Sequence, residues 1–211
     1  MGQHFQIHAQ NPQTRLIAQA VAILRAGGVV VYPTDSCYAL GCLIGQKDAM
    51  ERIQRIRQLD KNHNFTLICR DLSEIATYAL VDNTAYRILR SVTPGPYTFL
   101  LRATSEVPRR LQNPKRKTIG VRIPEHPVVR TLLEMLGEPM LSVTLILPDD
   151  ERPLTDPEEM HDRIGHQVDA ILDAGGCGID MTTVVDLTES TDPTIVRTGK
   201  GSVEPFSRTL G

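Results

Sequence analysis

GVVVYPTDSCYALGC, residues 28–42, decides how the chain is read. Gly28 is followed by three valines and a tyrosine, the composition of a short buried strand. Pro33, Thr34, Asp35 and Ser36 then break the run, and from Tyr38 to Cys42 the chain turns apolar again. Such a stretch either turns the chain between two buried segments or places three polar side chains in the wall of a binding site.

Working outward, Asn11 with Pro12 predicts a helix start, running to about Ala26 and ended by Gly27 and Gly28. KDAMERIQRIRQ (47–58) is amphipathic, and Asp48–Arg52 and Glu51–Arg55 are candidate pairs four apart. FTLIC (65–69) reads as a strand. DLSEIATYAL (71–80) and NTAYRILRSV (83–92) read as helices, the first opened by Asp71 or Ser73. PGPYTFLLRA (94–103) is a turn and a strand, KTIGVRIP (117–124) a strand, and HPVVRTLLEMLG (126–137) a helix closed by Gly137. PMLSVTLILP (139–148) and VDAILD (168–173) are strands around the helix DPEEMHDRIG (156–165), and TTVVDLTE with TIVRTG close the chain as strands. Helices and strands alternate early and strands dominate late. That predicts a mixed, twisted α/β sheet flanked by helices, without the regular alternation of a doubly wound sheet.

The 211 residues, 41% of them hydrophobic, suit one compact domain with a sizeable core. No apolar run approaches a membrane span, and MGQHFQIHAQ lacks the form of a secretory signal. A cytoplasmic protein without a membrane partner is expected. Cys37, Cys42, Cys69 and Cys177 form no CxxC pair and read as free thiols, so no protein-bound metal is expected. The net charge of −2 gives no overall drive toward nucleic acid. Arg109, Arg110, Lys115, Arg116 and Lys117 nevertheless crowd nine residues, as a solvated face or an RNA-contacting patch, while residues 149–162 are acidic.

Polar residues on otherwise apolar faces point to chemistry. At about 100° per residue, Arg57 falls between Met50 and Ile53 inside the apolar stripe of its helix. From periodicity it either snorkels off the helix end, the default for an arginine, or meets an anion in a cleft. In strand 117–123, Ile119, Val121 and Ile123 share one face, and Thr118, Gly120 and Arg122 share the other. If that strand is central, Thr118 and Arg122 need a polar cavity. Ser142 and Thr144 share a face with Ile146, and Arg197 interrupts an apolar run. There is no G-x-x-x-x-G-K-[ST], no G-x-G-x-x-G and no G-x-S-x-G. GGCG (175–178) reads as a turn. Arginines with hydroxyls suggest an anionic ligand held by charge-assisted hydrogen bonds.

PTDSCYALGC, TPGPYTFLL, KTIGVRIPEHP, TTVVDL and IVRTG stand in the order seen in the YrdC/TsaC family. The resemblance covers about residues 10–205 as a single domain. MERIQRIRQL, HNFTLICRDL and LGEPML resemble its YciO-type branch. The resemblance implies a twisted mixed sheet around a large concave cavity. It implies binding of an adenine nucleotide (ATP, AMP or threonylcarbamoyl-AMP) and a threonine-like molecule. It also implies L-threonylcarbamoyladenylate synthase-like chemistry from ATP with Mg²⁺, or the reverse or hydrolytic reaction, in the service of tRNA modification. Double-stranded RNA binding without catalysis, through Arg109, Arg110, Lys115, Arg116 and Lys117, is the alternative. By position, Thr34, Tyr38, Thr118, Arg122, Ser142, Thr144, Thr182 and Arg197 match the family's substrate contacts, with Arg57 and Arg122 in the catalytic roles. Thr34 is then the ligand contact of its loop, and Asp35 and Ser36 are turn or cap groups. Two motifs depart from the family: its K-x-R reads Arg57-Gln58-Leu59, and its S-x-N reads Thr144-Leu145-Ile146.

Overall fold

A computed structural model describes residues 2–60 and 63–207. In chain order they form β1 (Gln3–Gln6), α1 (Thr14–Arg25), β2 (Val30–Tyr32), β3 (Ala39–Leu43), α2 (Lys47–Arg57), β4 (Thr66–Ile68), α3 (Leu72–Tyr78), α4 (Asn83–Val92) and β5 (Tyr97–Arg102). A 3-10 turn at Arg109–Leu111 follows, then β6 (Thr118–Arg122), α5 (Pro127–Leu136), β7 (Met140–Thr144), α6 (Pro157–Ile164), β8 (Ala170–Asp173), β9 (Thr183–Asp186), β10 (Thr194–Arg197) and α7 (Glu204–Ser207). The strands make one mixed sheet in the order β1-β8-β2-β3-β7-β4-β6-β5-β9-β10. This is the single-domain mixed α/β sheet flanked by helices that the sequence predicts. The sheet also takes in β1, ahead of residue 10.

The side-chain period of two sorts each strand between two cores. Val31, Leu40, Cys42, Leu67, Phe99, Val121, Leu141, Ile171 and Val185 pack with α2, α3, α4 and α6 on one face. Val30, Tyr32, Ala39, Ile68, Met140 and Leu172 pack beneath α1 and α5 on the other. Helices α1 and α5 stop there. Farther along the same face β4, β6, β5 and β9 carry Thr66, Gly120, Thr98 and Val184, small or polar residues with no helix above them.

Local chemistry explains most boundaries. Asp71 accepts from Glu74 N at 2.8 Å, and Asp82 from Thr84 N and Ala85 N, to cap α3 and α4. Gly137 ends α5 in the left-handed conformation at φ 78°. Three expectations are corrected. Helix α1 starts at Thr14 behind Gln13, without a side-chain cap from Asn11. In α2, Arg52 turns to Asp169 and Glu51 to Lys47, instead of to Asp48 and Arg55. Asp169 also accepts from Val29 N at 2.7 Å, so the ion pair ties α2 to two strands, which a local pairing does not offer. Strand β7 ends at Thr144, so Ile146 does not share the face of Ser142 and Thr144.

Among the described residues no helix is long and apolar enough to cross a membrane. Leu132 in α5 is fully buried, whereas Tyr86 is 44% exposed. Leu132→Ala is expected to cost about 2–5 kcal/mol in urea unfolding, and Tyr86→Ala about 0.5 kcal/mol or less.

Candidate functional site

The uncovered half of the sheet face is the floor of a cavity of about 260 Å³. Thr66, Thr98, Gly120, Ser142 and Thr144 rise from it. Ser36–Tyr38, His63–Phe65 and Met181–Thr182 wall it from loops, and Arg57, Arg122 and Arg197 enter it from three directions. β6 is central, between β4 and β5, and all five of its residues are buried. Arg122 therefore has no route to bulk water except through the cavity.

The 33–38 loop is organised by Thr34. Its hydroxyl accepts from Ser36 N at 3.1 Å and Cys37 N at 3.2 Å and donates to Cys37 O at 2.6 Å. The Ser36 hydroxyl at 3.1 Å and Arg122 at 3.3 Å add two further contacts. That hydroxyl is fully occupied and lies behind the wall, whereas Ser36 stands in it. The threonine thus builds the turn, and the serine stands in the cavity wall. Asp35 forms a buried ion pair with Arg122, and its backbone carbonyl accepts from Lys200 Nζ. Tyr38 presents its ring to the cavity, while its hydroxyl donates to Gly175 O at 2.7 Å and accepts from Ala174 N at 3.1 Å. Cys177 Sγ donates to Thr34 O at 3.2 Å, so the 174–178 segment is laid across the loop as a turn.

Arg57 does not snorkel outward. Gln58 reverses the chain at φ 48°, and the Arg57 guanidinium turns to donate to Ile146 O, just past the end of β7. The two motifs that depart from the family's pattern thus meet, while neither the Leu59 nor the Ile146 side chain lines the cavity. Arg197 donates to Thr182 O at 2.9 Å and to Thr182 Oγ1 at 3.2 Å, and Thr182 pairs with Thr98 at 2.9 Å. Neither Arg57 nor Arg197 has a carboxylate partner among the described residues. Burial pulls both guanidiniums below their usual range, the signature of a charge removed from water without full compensation. Asp35 Oδ2, Arg57 Nε and Arg122 Nε find no hydrogen-bond partner among the described residues.

Ser142 and Thr144 stand in the cavity wall. Thr118 is buried at the far end of β6 and is not part of it. The basic cluster lies beyond Thr118, roughly 17 Å along the strand from Arg122 at about 3.3 Å per residue. Its five side chains are exposed, and Arg116 is bound to Asp186 and Thr188. Sequence reasoning missed Ser36, His63, Thr66, Thr98 and Met181. For Thr66 and Thr98 the signal was present: each interrupts an apolar strand at the period of two.

The two histidines nearest the arginines stay uncharged near pH 7. Burial, then Arg57, lowers His63, and burial lowers His126 against a smaller opposing pull from Asp35. Among the described residues no three His, Cys, Asp or Glu side chains come together to hold a metal ion.

The Sua5/yciO/yrdC family model, described as "Telomere recombination", matches residues 22–199. The chain belongs to the Sua5/YciO/YrdC family. The YciO protein of Escherichia coli (strain K12) is 60% identical over 206 residues, 98% of this chain and 100% of the relative. The crystal structure of E. coli YciO matches with a TM-score of 0.93 over 98% of this chain and 100% of that one. A threonylcarbamoyl-AMP synthase of Vibrio vulnificus (strain YJ016) is 31% identical over 159 residues, 74% of this chain and 84% of that protein. P. abyssi Sua5 complexed with L-threonine shares the fold, with a TM-score of 0.88 at 22% identity over 99% of this chain and 61% of that one.

Cys37 lies in the cavity wall, but burial pushes its thiol up to about 11. The thiolate, the reactive form, is therefore scarce until the pH approaches that value. Iodoacetamide alkylation of Cys37, followed by peptide mass spectrometry, should be slow at pH 8 and rise steeply above pH 10. Fast labelling at pH 7 would contradict this.

Proposed function

We propose that the cavity is an adenylate site. It binds the phosphate-bearing end of an adenine nucleotide, AMP or ATP, or of threonylcarbamoyl-AMP, with a threonine-like group beside it. The observation that carries this reading is the pair Arg57, partly buried, and Arg197, at the exposed rim, two cations without carboxylate partners among the described residues that line one concavity with buried Arg122. A buried charge persists when something pairs with it, and a phosphate or carbamate anion has the charge and the paired acceptor oxygens that the planar guanidinium fork engages. Membership of the family, the product named for the Vibrio vulnificus relative and the L-threonine in the P. abyssi structure support the ligand class. About 260 Å³ is small beside ligand pockets of roughly 300–1,000 Å³. The cavity then holds the charged, reacting end and leaves the rest of the nucleotide at its mouth.

Chemically the site positions and neutralises charge and forms no covalent bond to substrate. Arg57 and Arg122 serve as the catalytic cations, drawing charge from phosphate oxygens. Ser142, Thr144 and Thr182 donate or relay hydrogen bonds, and the ring of Tyr38 packs against the substrate. Mg²⁺ would arrive with the phosphates of ATP and screen them, because among the described residues no carboxylate lines the cavity. Leu59 and Ile146 stand where the family carries polar groups. Each lost transition-state contact costs about a hundredfold in rate, which favours weak synthesis, or breakdown of the adenylate, over efficient synthesis.

Isothermal titration calorimetry should detect AMP binding, weakened about tenfold or more by Arg122→Ala or Arg57→Ala. Incubation with ATP, threonine, bicarbonate and Mg²⁺ should give little threonylcarbamoyl-AMP, while the adenylate supplied directly should be consumed faster than in buffer. No binding of either nucleotide would end this reading.

A second reading draws on the exposed cluster of Arg109, Arg110, Lys115 and Lys117, four cations for which no ion pair is found among the described residues. Duplex RNA bound there should lose affinity linearly in log salt, with a slope of roughly −0.7 to −0.9 for each phosphate contact. The Lys115→Glu/Lys117→Glu variant should flatten that slope without changing AMP affinity. Absence of RNA binding at low salt removes this alternative.

A further inference from the structure

Ser142 rises from the cavity floor on β7, and its Oγ shares a 2.5 Å hydrogen bond with Tyr32 Oη. Tyr32 belongs to β2, two strands away. The strand between them is β3, where Gly41 pairs with Val30 on one side and Ser142 on the other. A Cβ on Gly41 would stand 2.7 Å from Tyr32 Cε1. The absent side chain is what lets the phenol ring lie across β3 and reach Ser142.

Distance alone does not say which oxygen donates; burial does. Tyr32 is fully buried, and among the described residues its hydroxyl has no hydrogen-bond partner except Ser142. If Ser142 donated, the phenolic proton would be stranded in an apolar interior, a full desolvation loss without return. Burial also raises the phenol above its usual range, so the proton is present throughout the physiological pH range. Tyr32 is therefore the donor and Ser142 Oγ the acceptor. The proton of Ser142 must then point away from Tyr32, and the open side of Ser142 is the cavity.

We infer that Tyr32 is a positioning residue that acts through Ser142, holding the serine as a hydrogen-bond donor toward an anionic oxygen of the bound ligand. This deepens the adenylate reading and rests on it for the identity of the ligand. A serine free to rotate offers a donor or an acceptor. One held from behind by a phenol offers a donor, and so favours an acceptor oxygen, most strongly an anionic phosphate or carboxylate oxygen, over a donor-only ammonium at the same place.

The test compares wild type, Tyr32→Phe, Ser142→Ala and the double variant, with AMP as the probe in calorimetry. Tyr32→Phe keeps the ring and removes a group that never touches ligand, yet should weaken AMP about three- to tenfold. Ser142→Ala should weaken it about tenfold or more. The double variant should bind no worse than Ser142→Ala alone, because Tyr32 acts only through that serine. Unchanged binding by Tyr32→Phe, or a double-variant loss equal to the product of the two single losses, overturns the inference. A second measurement needs no ligand: the tyrosine Raman doublet in the wild-type minus Tyr32→Phe difference spectrum. A donor-type doublet is expected, and an acceptor-type doublet sinks the inference whatever the protein binds. A donor-type doublet in a protein that binds no AMP leaves the orientation of Ser142 standing and removes the adenylate reading instead.

Discussion

The structure depends on a shortfall of cover. A sheet of ten strands presents two broad faces, and one of them is sealed by α2, α3, α4 and α6. The opposite face has only α1 and α5, which occupy the half built from β1, β8, β2 and β3 and the near ends of β7 and β4. The bare half cannot carry large apolar side chains without exposing them to water. Beside partly exposed Leu100 and Val184, threonines, a serine and a glycine occupy it, and loops curl around its rim. The cavity is the space the second helix layer leaves open, and its polarity follows from that.

Once a sheet face is open but walled, charge becomes the organising problem. Arg122 is 7% exposed and cannot stand alone. Asp35 meets it from the loop that Thr34 folds, and breaking such a buried pair by removing one partner typically costs about 3–5 kcal/mol. Arg57 and Arg197 receive less. Backbone carbonyls and a threonine hydroxyl satisfy some of their donors and cancel none of their charge. Stability alone gives no reason to keep two uncompensated cations in one concavity. The unpartnered Nε atoms of Arg57 and Arg122 show that the protein has not used all the donors it placed there.

The elements were legible because they rest on local physics. Periodicity separated strand faces at Ile119, Val121 and Ile123 against Gly120 and Arg122, and the centrality of β6 turned that separation into a polar wall. Arg57 was visible as a misfit in an apolar stripe, but its destination was not, because the carbonyl of Ile146 that receives it lies 89 residues away in the sequence and the left-handed turn at Gln58 aims it there. That Thr34 holds the turn while Ser36 lines the cavity was not legible, since two hydroxyls two residues apart give no sign of which one the turn will consume. Arg52 and Asp169 are 117 residues apart, so helix spacing suggested a nearer partner.

By itself the sequence determined the kinds of element, the two-faced pattern of each strand and the stock of cations and hydroxyls available for a site. Those follow from side-chain period, caps and glycine placement, all of which act within a few residues. Only the tertiary structure decided which hydroxyls face the cavity, which arginines lack a counter-charge and which proton Ser142 can offer. Each depends on strands brought side by side from distant parts of the chain: Tyr32 reaches Ser142 across Gly41, and Asp35 reaches Arg122 across 87 residues. Such contacts form because folding buries both partners together, and no local propensity carries that information.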